Sequence, residues 1–233
     1  RNIQYGGGPM PRSVVQAALD AFPCTIIQGY GQTEGMTMSF LAQEDHHSAI
    51  NGEHPERLSS CGREGFVTTI KLADPDGNEV PRDGKTPGEI LVKSEANMVG
   101  YWGRPDLTAQ TIRDGWMWTG DIAVWDEEGY LFIVDRLKDM ILVSGFNVYP
   151  NEVEEVLAAH PGVLEAGVIG VSDEKSTEAV RAIVVPKDPG LTEQALHDYA
   201  HENLSAYKCP KSWVFVDELP KSNVGKILRR ERA

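Results

Sequence analysis

The stretch CTIIQGYGQTEG, residues 24–35, joins an apolar run to three glycines, one tyrosine and one glutamate. The apolar run predicts a strand, and the glycines after it predict a turn. Gly29 and Gly31 let a backbone approach a ligand that a Cβ would hold off. Thr33 and Glu34 add a hydroxyl and a hard carboxylate oxygen, which suit a phosphate and Mg²⁺. Taken alone, the stretch also fits a simple tight turn.

A second glycine cluster, YGGGP at residues 5–9, lies upstream of the first. Between the two clusters, apolar residues recur at helical spacing from residue 11 until Pro23 ends the pattern. Glycine turn, helix, strand and glycine turn are typical of an α/β protein, in which ligands bind at the carboxyl ends of strands. Both clusters are therefore candidate ligand loops, with Gly7 and Gly8 in the first.

The pattern changes to short strands in residues 61–137, which follow the α/β segment of residues 1–60. Turns rich in Pro, Asp and Gly separate these strands, and this arrangement predicts a small β-rich subdomain. The predicted strands span residues 66–72, 88–93, 117–125 and 130–134.

Beyond residue 137 strands and helices alternate. The order β-α-β-β-α-β predicts a small α+β domain over residues 138–233. The fold class is therefore α/β plus α+β, with residues 1–137 as part of a larger domain. The predicted strands span residues 140–144, 163–171, 179–186 and 213–216, and the helices begin at Pro150 and near Thr192.

Composition excludes several classes of protein. The 233 residues carry a net charge of −13, which argues against a general nucleic-acid binder. Seven basic and three acidic side chains follow from Lys208 onward, so this basic tail can be a solvated surface or can bring positive charge to an anionic ligand. Three distant cysteines without a CxxC pair predict free thiols of a cytoplasmic protein, with no zinc site. No apolar run approaches the roughly 20 residues that a membrane span needs.

The first residues show neither an initiator Met nor the layout of a secretion signal. Residues 3–5 resemble the end of a strand in a sheet whose earlier strands are absent. This predicts that the chain is a fragment of a longer protein. Such a fragment would leave an apolar edge near Tyr5 and Ile26. We therefore expect self-association or poor solubility.

Three further residues have side chains suited to a nucleotide. Asp121, in the run Thr119-Gly120-Asp121, can accept two hydrogen bonds from a ribose diol. Arg136 is a fixed cation with several donors. Lys226 ends a loop of Pro, Ser, Asn and Gly, from which a mobile charge can reach an anion. Taken singly, Asp121 also fits a turn residue, Arg136 a surface ion pair and Lys226 a solvated lysine.

Six motifs occur in one order: YGGGP, GYGQTE, TGD, DRxKD, GxNVxPxEVE and PKxxxGK. In this order and spacing they resemble the adenylate-forming superfamily, which includes acyl-CoA synthetases, aryl-CoA ligases, luciferases and the adenylation domains of peptide synthetases. The resemblance runs from Tyr5 to Arg230. Residues 135–163 and 217–231 look most like bacterial fatty-acid–CoA ligases.

The resemblance implies roles for individual residues. Thr33 would bind the α-phosphate, Glu34 would bind Mg²⁺, and Asp121 and Arg136 would hold the ribose. The implied nucleotide-binding set is Gly7, Gly8, Gly29, Tyr30, Gly31, Gln32, Thr33, Asp121 and Arg136.

The resemblance also implies that the small C-terminal domain turns between two half-reactions. Lys138 would be the hinge and Gly145 would flank the tunnel for coenzyme A. Lys226 would bridge the acyl carboxylate and the α-phosphate during the first half-reaction.

The implied reaction joins a carboxylic acid, ATP and coenzyme A in two steps, through an acyl-adenylate. One feature of the superfamily is missing, because no Ser/Thr/Gly-rich loop with its lysine matches this chain. We therefore expect the isolated chain to be inactive. The leading hypothesis is a ligase for medium- or long-chain fatty acids. An aryl-CoA ligase and a noncatalytic protein that binds nucleotide or coenzyme A remain alternatives.

Overall fold

A computed structural model of the chain describes residues 1–8, 10 and 12–221. These residues form two compact units, which divide between Val134 and Asp135. The predicted boundary lay three residues later, after residue 137. Lys226 lies outside the described residues.

The first unit opens with a four-stranded sheet in the order β1-β2-β3-β4, in which β1 and β2 are parallel and the other pairs are antiparallel. Helices α1 and α2 cover it through Val15, Ala49 and Leu58, the last of these from the 3₁₀ turn Pro55–Ser59. The elements are β1 (Asn2–Gly6), α1 (Arg12–Ala21), β2 (Thr25–Gln32), β3 (Met36–Leu41), α2 (Gln43–Ile50) and β4 (Arg63–Glu64).

A five-stranded sheet completes the first unit. It has the order β5-β6-β8-β7, and β9 pairs with β8. Met38 of the first sheet packs into the same buried cluster as Ile90, Met117 and Leu131, so the two sheets share a core. The elements are β5 (Thr68–Ala73), β6 (Gly88–Ser94), α3 (Pro105–Thr111), β7 (Ile112–Arg113), β8 (Trp116–Trp125) and β9 (Leu131–Arg136).

The second unit is a mixed sheet in the order β11-β10-β13-β12, with β14 parallel to β13. Leu157 of α4 and Leu196 of α5 pack onto Val168 and Val184 of the sheet. The Thr192 hydroxyl caps α5 by accepting the N–H of Ala195 at 3.2 Å. The elements are β10 (Ile141–Val143), β11 (Phe146–Val148), α4 (Pro150–Ala158), β12 (Val163–Asp173), β13 (Thr177–Pro186), α5 (Glu193–Asn203) and β14 (Ser212–Phe215).

The predicted fold class, α/β plus α+β, is confirmed. All three cysteines are free thiols, also as predicted. Within the part of the chain that the structure describes, no helix is long and apolar enough to cross a membrane.

Candidate active site

The first candidate site is the hairpin of β2 and β3. We predicted a turn at the glycines after residue 28, but β2 continues through them to Gln32 and the turn is Thr33–Gly35. The strand can continue because Gly31 lies directly against β3, where an added Cβ would be 1.9 Å from the carbonyl oxygen of Met36. This close approach of the two strands explains why residue 31 is a glycine. The turn itself brings Thr33 and Glu34 to the carboxyl end of β2.

Glu34 is half-buried, and a neighbouring segment holds it. The Tyr101 hydroxyl donates to its Oε1 at 3.0 Å, and the N–H of Met98 donates to its carbonyl oxygen at 2.6 Å. Burial, and then the hydrogen bond to Glu34, raise the pKa of Tyr101, so the phenol remains a donor at neutral pH. Thr33 beside it is exposed.

The structure brings Tyr30 and Asp121 together, although they are 91 residues apart. The Tyr30 hydroxyl donates to Oδ2 of Asp121 at 2.8 Å, and the two residues are only 8% and 5% exposed. Burial, followed by the charge and hydrogen bond of Asp121, raises the pKa of Tyr30 well above its ordinary value. The tyrosine therefore orients the predicted ribose carboxylate from the same strand that leads to Glu34.

Strand β6 braces the Thr119-Gly120-Asp121 segment on β8. The Thr119 hydroxyl donates to the carbonyl oxygen of Ile90 at 2.8 Å and accepts the N–H of Asp121 at 3.1 Å. The N–H of Gly120 donates to Oε1 of Glu89 at 2.9 Å. Hydrogen bonds to a main-chain oxygen and a side-chain oxygen of β6 thus fix the backbone that carries the Asp121 carboxylate.

Gly7 and Gly8 follow the end of β1, where a Cβ added to either would meet no atom within 4 Å. Gly7 has a φ of +84°, a value that favours glycine. Gly29 and Gln32 lie on β2, within the pairing with β3. Ile26, which we expected near an apolar edge, is 1% exposed on β2, and β1 beside it is the edge strand of this sheet.

A buried histidine that sequence reasoning missed holds the strand before Gly7. His46 on α2 lies with Nδ1 2.6 Å from the carbonyl oxygen of Ala42 and Nε2 2.9 Å from the hydroxyl of Tyr5. Because a carbonyl only accepts, Nδ1 carries the proton and Nε2 accepts the tyrosine hydroxyl. Burial raises the pKa of Tyr5 to about 12.

Acid should weaken the fold through His46. Its pKa is lowered, mainly by burial, despite the opposing effects of the Ala42 carbonyl and Asp45; the neighbouring His47 lowers it further. As pH falls below about 6.5, His46 is protonated in the unfolded chain but stays neutral in the folded chain. The free energy of unfolding therefore decreases. We expect this decrease in urea titrations between about pH 7.5 and 5.5, and a smaller one in H46Q. The exposed neighbour supplies the control: H47Q removes only a minor contribution to the lowered pKa of His46 and should keep most of the parent's dependence. Equal pH slopes for H46Q and the parent would contradict this prediction.

The remaining predicted residues lie in the second unit. Arg136 ends β9, and Lys138 is exposed in the 3₁₀ turn Leu137–Asp139. Gly145 forms the turn between β10 and β11 with a φ of +87°, and a Cβ there would meet no atom within 4 Å. Of the two strands that flank Gly145, the sequence analysis predicted β10 but not β11.

Asp135, directly before Arg136, is a further residue that the sequence analysis did not single out. It is 1% exposed. Its Oδ1 accepts the N–H of Arg136 at 2.7 Å, and its Oδ2 accepts the N–H of Asn151, in the first turn of α4, at 2.8 Å. The carboxylate therefore ties the end of β9 to the start of the helix.

Two family comparisons cover most of the chain. Residues 1–102 match the family described as AMP-binding enzyme, and residues 152–226 match the AMP-binding enzyme C-terminal domain. The order of these two matches is the order of the two units. The chain therefore belongs to the AMP-binding, adenylate-forming enzymes, and the resemblance inferred from its motifs is confirmed.

Individual relatives agree with this assignment. The chain is 49% identical to a long-chain-fatty-acid–CoA ligase of Escherichia coli and 41% identical to a feruloyl-CoA synthase of an Amycolatopsis species, each over 99% of the chain. It spans only 39% and 45% of those two proteins. An o-succinylbenzoate coenzyme A synthetase from Bacillus subtilis, solved with ATP and magnesium, is 34% identical and has a TM-score of 0.81, over 99% of this chain and 46% of that one.

Proposed function

We propose that the full-length protein is an ATP-dependent acid–thiol ligase that forms an acyl-adenylate and then an acyl-CoA. The observation that carries the proposal is the β2–β3 hairpin. Its turn presents Thr33 and Glu34, and its Tyr30 orients Asp121 through a 2.8 Å hydrogen bond. One hairpin thus supports the residues proposed for the phosphate and for the ribose.

In the first step, a carboxylate oxygen of the acid attacks the α-phosphorus of ATP. A bond to the α-phosphorus forms, the bond to the bridging oxygen breaks, and pyrophosphate leaves. In the second step, the sulfur of coenzyme A attacks the acyl carbon and AMP leaves, while the thiol proton passes to solvent. Neither step requires a nucleophile from the protein, so catalysis depends on positioning and charge stabilisation.

The chain's own residues would bind and orient the nucleotide. The exposed Thr33 hydroxyl would donate to the α-phosphate. The buried carboxylate of Asp121 would accept hydrogen bonds from the ribose hydroxyls, and the guanidinium of Arg136 would donate to the ribose oxygens. Gly7, Gly8 and residues 29–32 would line the adenine and acyl sites. Lys226 would neutralise charge on the reacting oxygens.

The residues present also fit a magnesium ion bound with nucleotide. Among the described residues, no cluster of three or more His, Cys, Asp or Glu side chains could hold a metal by itself. Mg²⁺ usually takes one or two carboxylates and completes its shell with waters and substrate phosphates, so the single carboxylate of Glu34 suits it. When bound, the ion neutralises charge on the phosphates.

We further propose that residues 1–137 complete the large AMP-binding domain and that residues 138–233 form the small domain, which turns at Lys138. Gly145 would then flank coenzyme A in the second step. Its exposed turn, with no side chain, supports this role because a thiol ligand can pass close to bare backbone. We also propose a cytoplasmic location.

The proposed acid is a medium- or long-chain fatty acid, since the fatty-acid ligase is the more similar of the two named relatives. The test is carboxylate-dependent ATP/pyrophosphate exchange by the full-length protein with acetate, octanoate, palmitate and benzoate. We expect octanoate or palmitate to support the fastest exchange. Faster exchange with benzoate would favour the aryl-CoA ligase, and ATP binding without exchange for any acid would favour the noncatalytic alternative. The 233-residue chain should show no exchange.

A further inference from the structure

Glu34 is held from outside its own hairpin. The turn Thr33–Gly35 is short, yet two hydrogen bonds connect Glu34 to the segment after β6. Tyr101 reaches the side chain at 3.0 Å and the N–H of Met98 reaches the main chain at 2.6 Å. The segment around residues 98–101 therefore fixes both the backbone and the carboxylate of this residue.

Tyr101 is itself held in place by residues in and next to α3. Its N–H donates to the hydroxyl of Thr108 at 2.9 Å, and that hydroxyl donates to the carbonyl oxygen of Arg104 at 2.9 Å. Gly100 lies so close to the same threonine that an added Cβ would be 2.8 Å from its Cγ2. The hydroxyl of Thr111, at the end of α3, is near enough to the phenol to lower its pKa, against the larger effects of burial and Glu34. The phenol is thus held between α3 and Glu34.

The two carboxylate oxygens of Glu34 differ as a result. Oε1 accepts from Tyr101, whereas Oε2 accepts no hydrogen bond from the residues that the structure describes. A donor on one oxygen restricts rotation of the carboxylate and leaves the other oxygen available to a cation. Groups that hold metal ligands in this way commonly change metal affinity about 10–100-fold when they are removed.

We propose that Tyr101 is a positioning residue that holds the Glu34 carboxylate ready for the magnesium ion of the nucleotide complex. This proposal rests on the proposed function, in which Glu34 is the magnesium ligand. Tyr101 would contact neither the nucleotide nor the acid. Its effect should therefore appear in metal affinity and leave metal-free nucleotide binding unchanged.

The experiment measures Mn²⁺ binding to the full-length protein by electron paramagnetic resonance, in the presence of a nonhydrolysable ATP analogue. We expect Y101F, which removes one hydroxyl, to weaken Mn²⁺ binding about tenfold. T111V, which removes a hydroxyl near the phenol, should weaken it less than Y101F does. The matched control is W102F, because the neighbouring Trp102 is fully exposed and, among the residues that the structure describes, does not hydrogen-bond to Glu34.

E34Q separates failure of this proposal from failure of the proposed function. If E34Q weakens Mn²⁺ binding strongly while Y101F stays within twofold of the parent, the positioning role of Tyr101 is wrong and the magnesium role of Glu34 stands. If E34Q also leaves Mn²⁺ binding unchanged, both fall together. Equal weakening of metal and metal-free nucleotide binding in Y101F would indicate general damage to the site and would also overturn the proposal.

Discussion

Replacing Lys226 with alanine should lower acid-dependent ATP/pyrophosphate exchange by the full-length protein about 100- to 1,000-fold. The proposed role of this lysine is to neutralise charge on the carboxylate and on the α-phosphate as the new bond forms. Removing one such preorganised group from a reacting oxygen typically costs about two to three orders of magnitude in rate. The second step should suffer much less, because Gly145 is proposed for that step in place of Lys226. Supplying synthetic acyl-adenylate and coenzyme A isolates it.

Lys221 provides the matched control, because it has the same charge and lies five residues earlier. Its Nζ is 2.5 Å from Oε1 of Glu165, and both side chains are more than a third exposed. Exposed ion pairs contribute about 0–1 kcal/mol, so K221A should fold normally and retain exchange within about twofold. If K226A and K221A exchange at the same rate, the proposed role of Lys226 is wrong. If K226A loses both half-reactions equally, the lysine does not distinguish the two steps.

The sequence predicted the longer strands and helices well because their apolar periodicity is strong. The predicted strands at residues 163–171 and 179–186 correspond to β12 and β13, and the helix near Thr192 corresponds to α5. It missed α2, which has only eight residues, a polar composition and a buried His46. A histidine in such a stretch looks like a surface residue until the contact with Tyr5 is seen.

The sequence predicted which residues form the candidate site, but it did not predict the contacts that hold them in place. Ordered motifs identified Glu34 and Asp121, but nothing in the local sequence indicates that Tyr101 and Tyr30 hold them. These partners lie 67 and 91 residues away along the chain. Gly31 was predicted to let the backbone approach a ligand, and the structure adds a separate reason for glycine there, the close approach of β3. Close approach of backbones and distant side-chain pairing both arise only when the sheets assemble.

Replacing Asp135 with alanine should destabilise the second unit by about 3 kcal/mol. Helix α4 begins after Tyr149, which provides no side-chain cap, and its first turn leaves N–H groups without helical partners. Asp135 supplies an acceptor from the preceding strand, with Oδ2 2.8 Å from the nitrogen of Asn151. A carboxylate at a helix N-terminus is also favoured by the helix dipole. Alanine would remove the charge, this bond and the bond to the N–H of Arg136 together.

Urea unfolding of the 233-residue chain would measure the loss, and hydrogen exchange would locate it, with faster exchange expected for the first-turn amides of α4. D135N keeps an acceptor oxygen at the same place and should cost about half as much, because only the charge and part of the bonding are lost. The exposed Asp188 serves as a surface control, since D188A should change stability by no more than about 0.5 kcal/mol. Equal stability of D135A and D188A would show that the buried carboxylate does not hold α4. A uniform increase in hydrogen exchange across the second unit, without a larger effect at α4, would show that Asp135 stabilises the strand and not the helix.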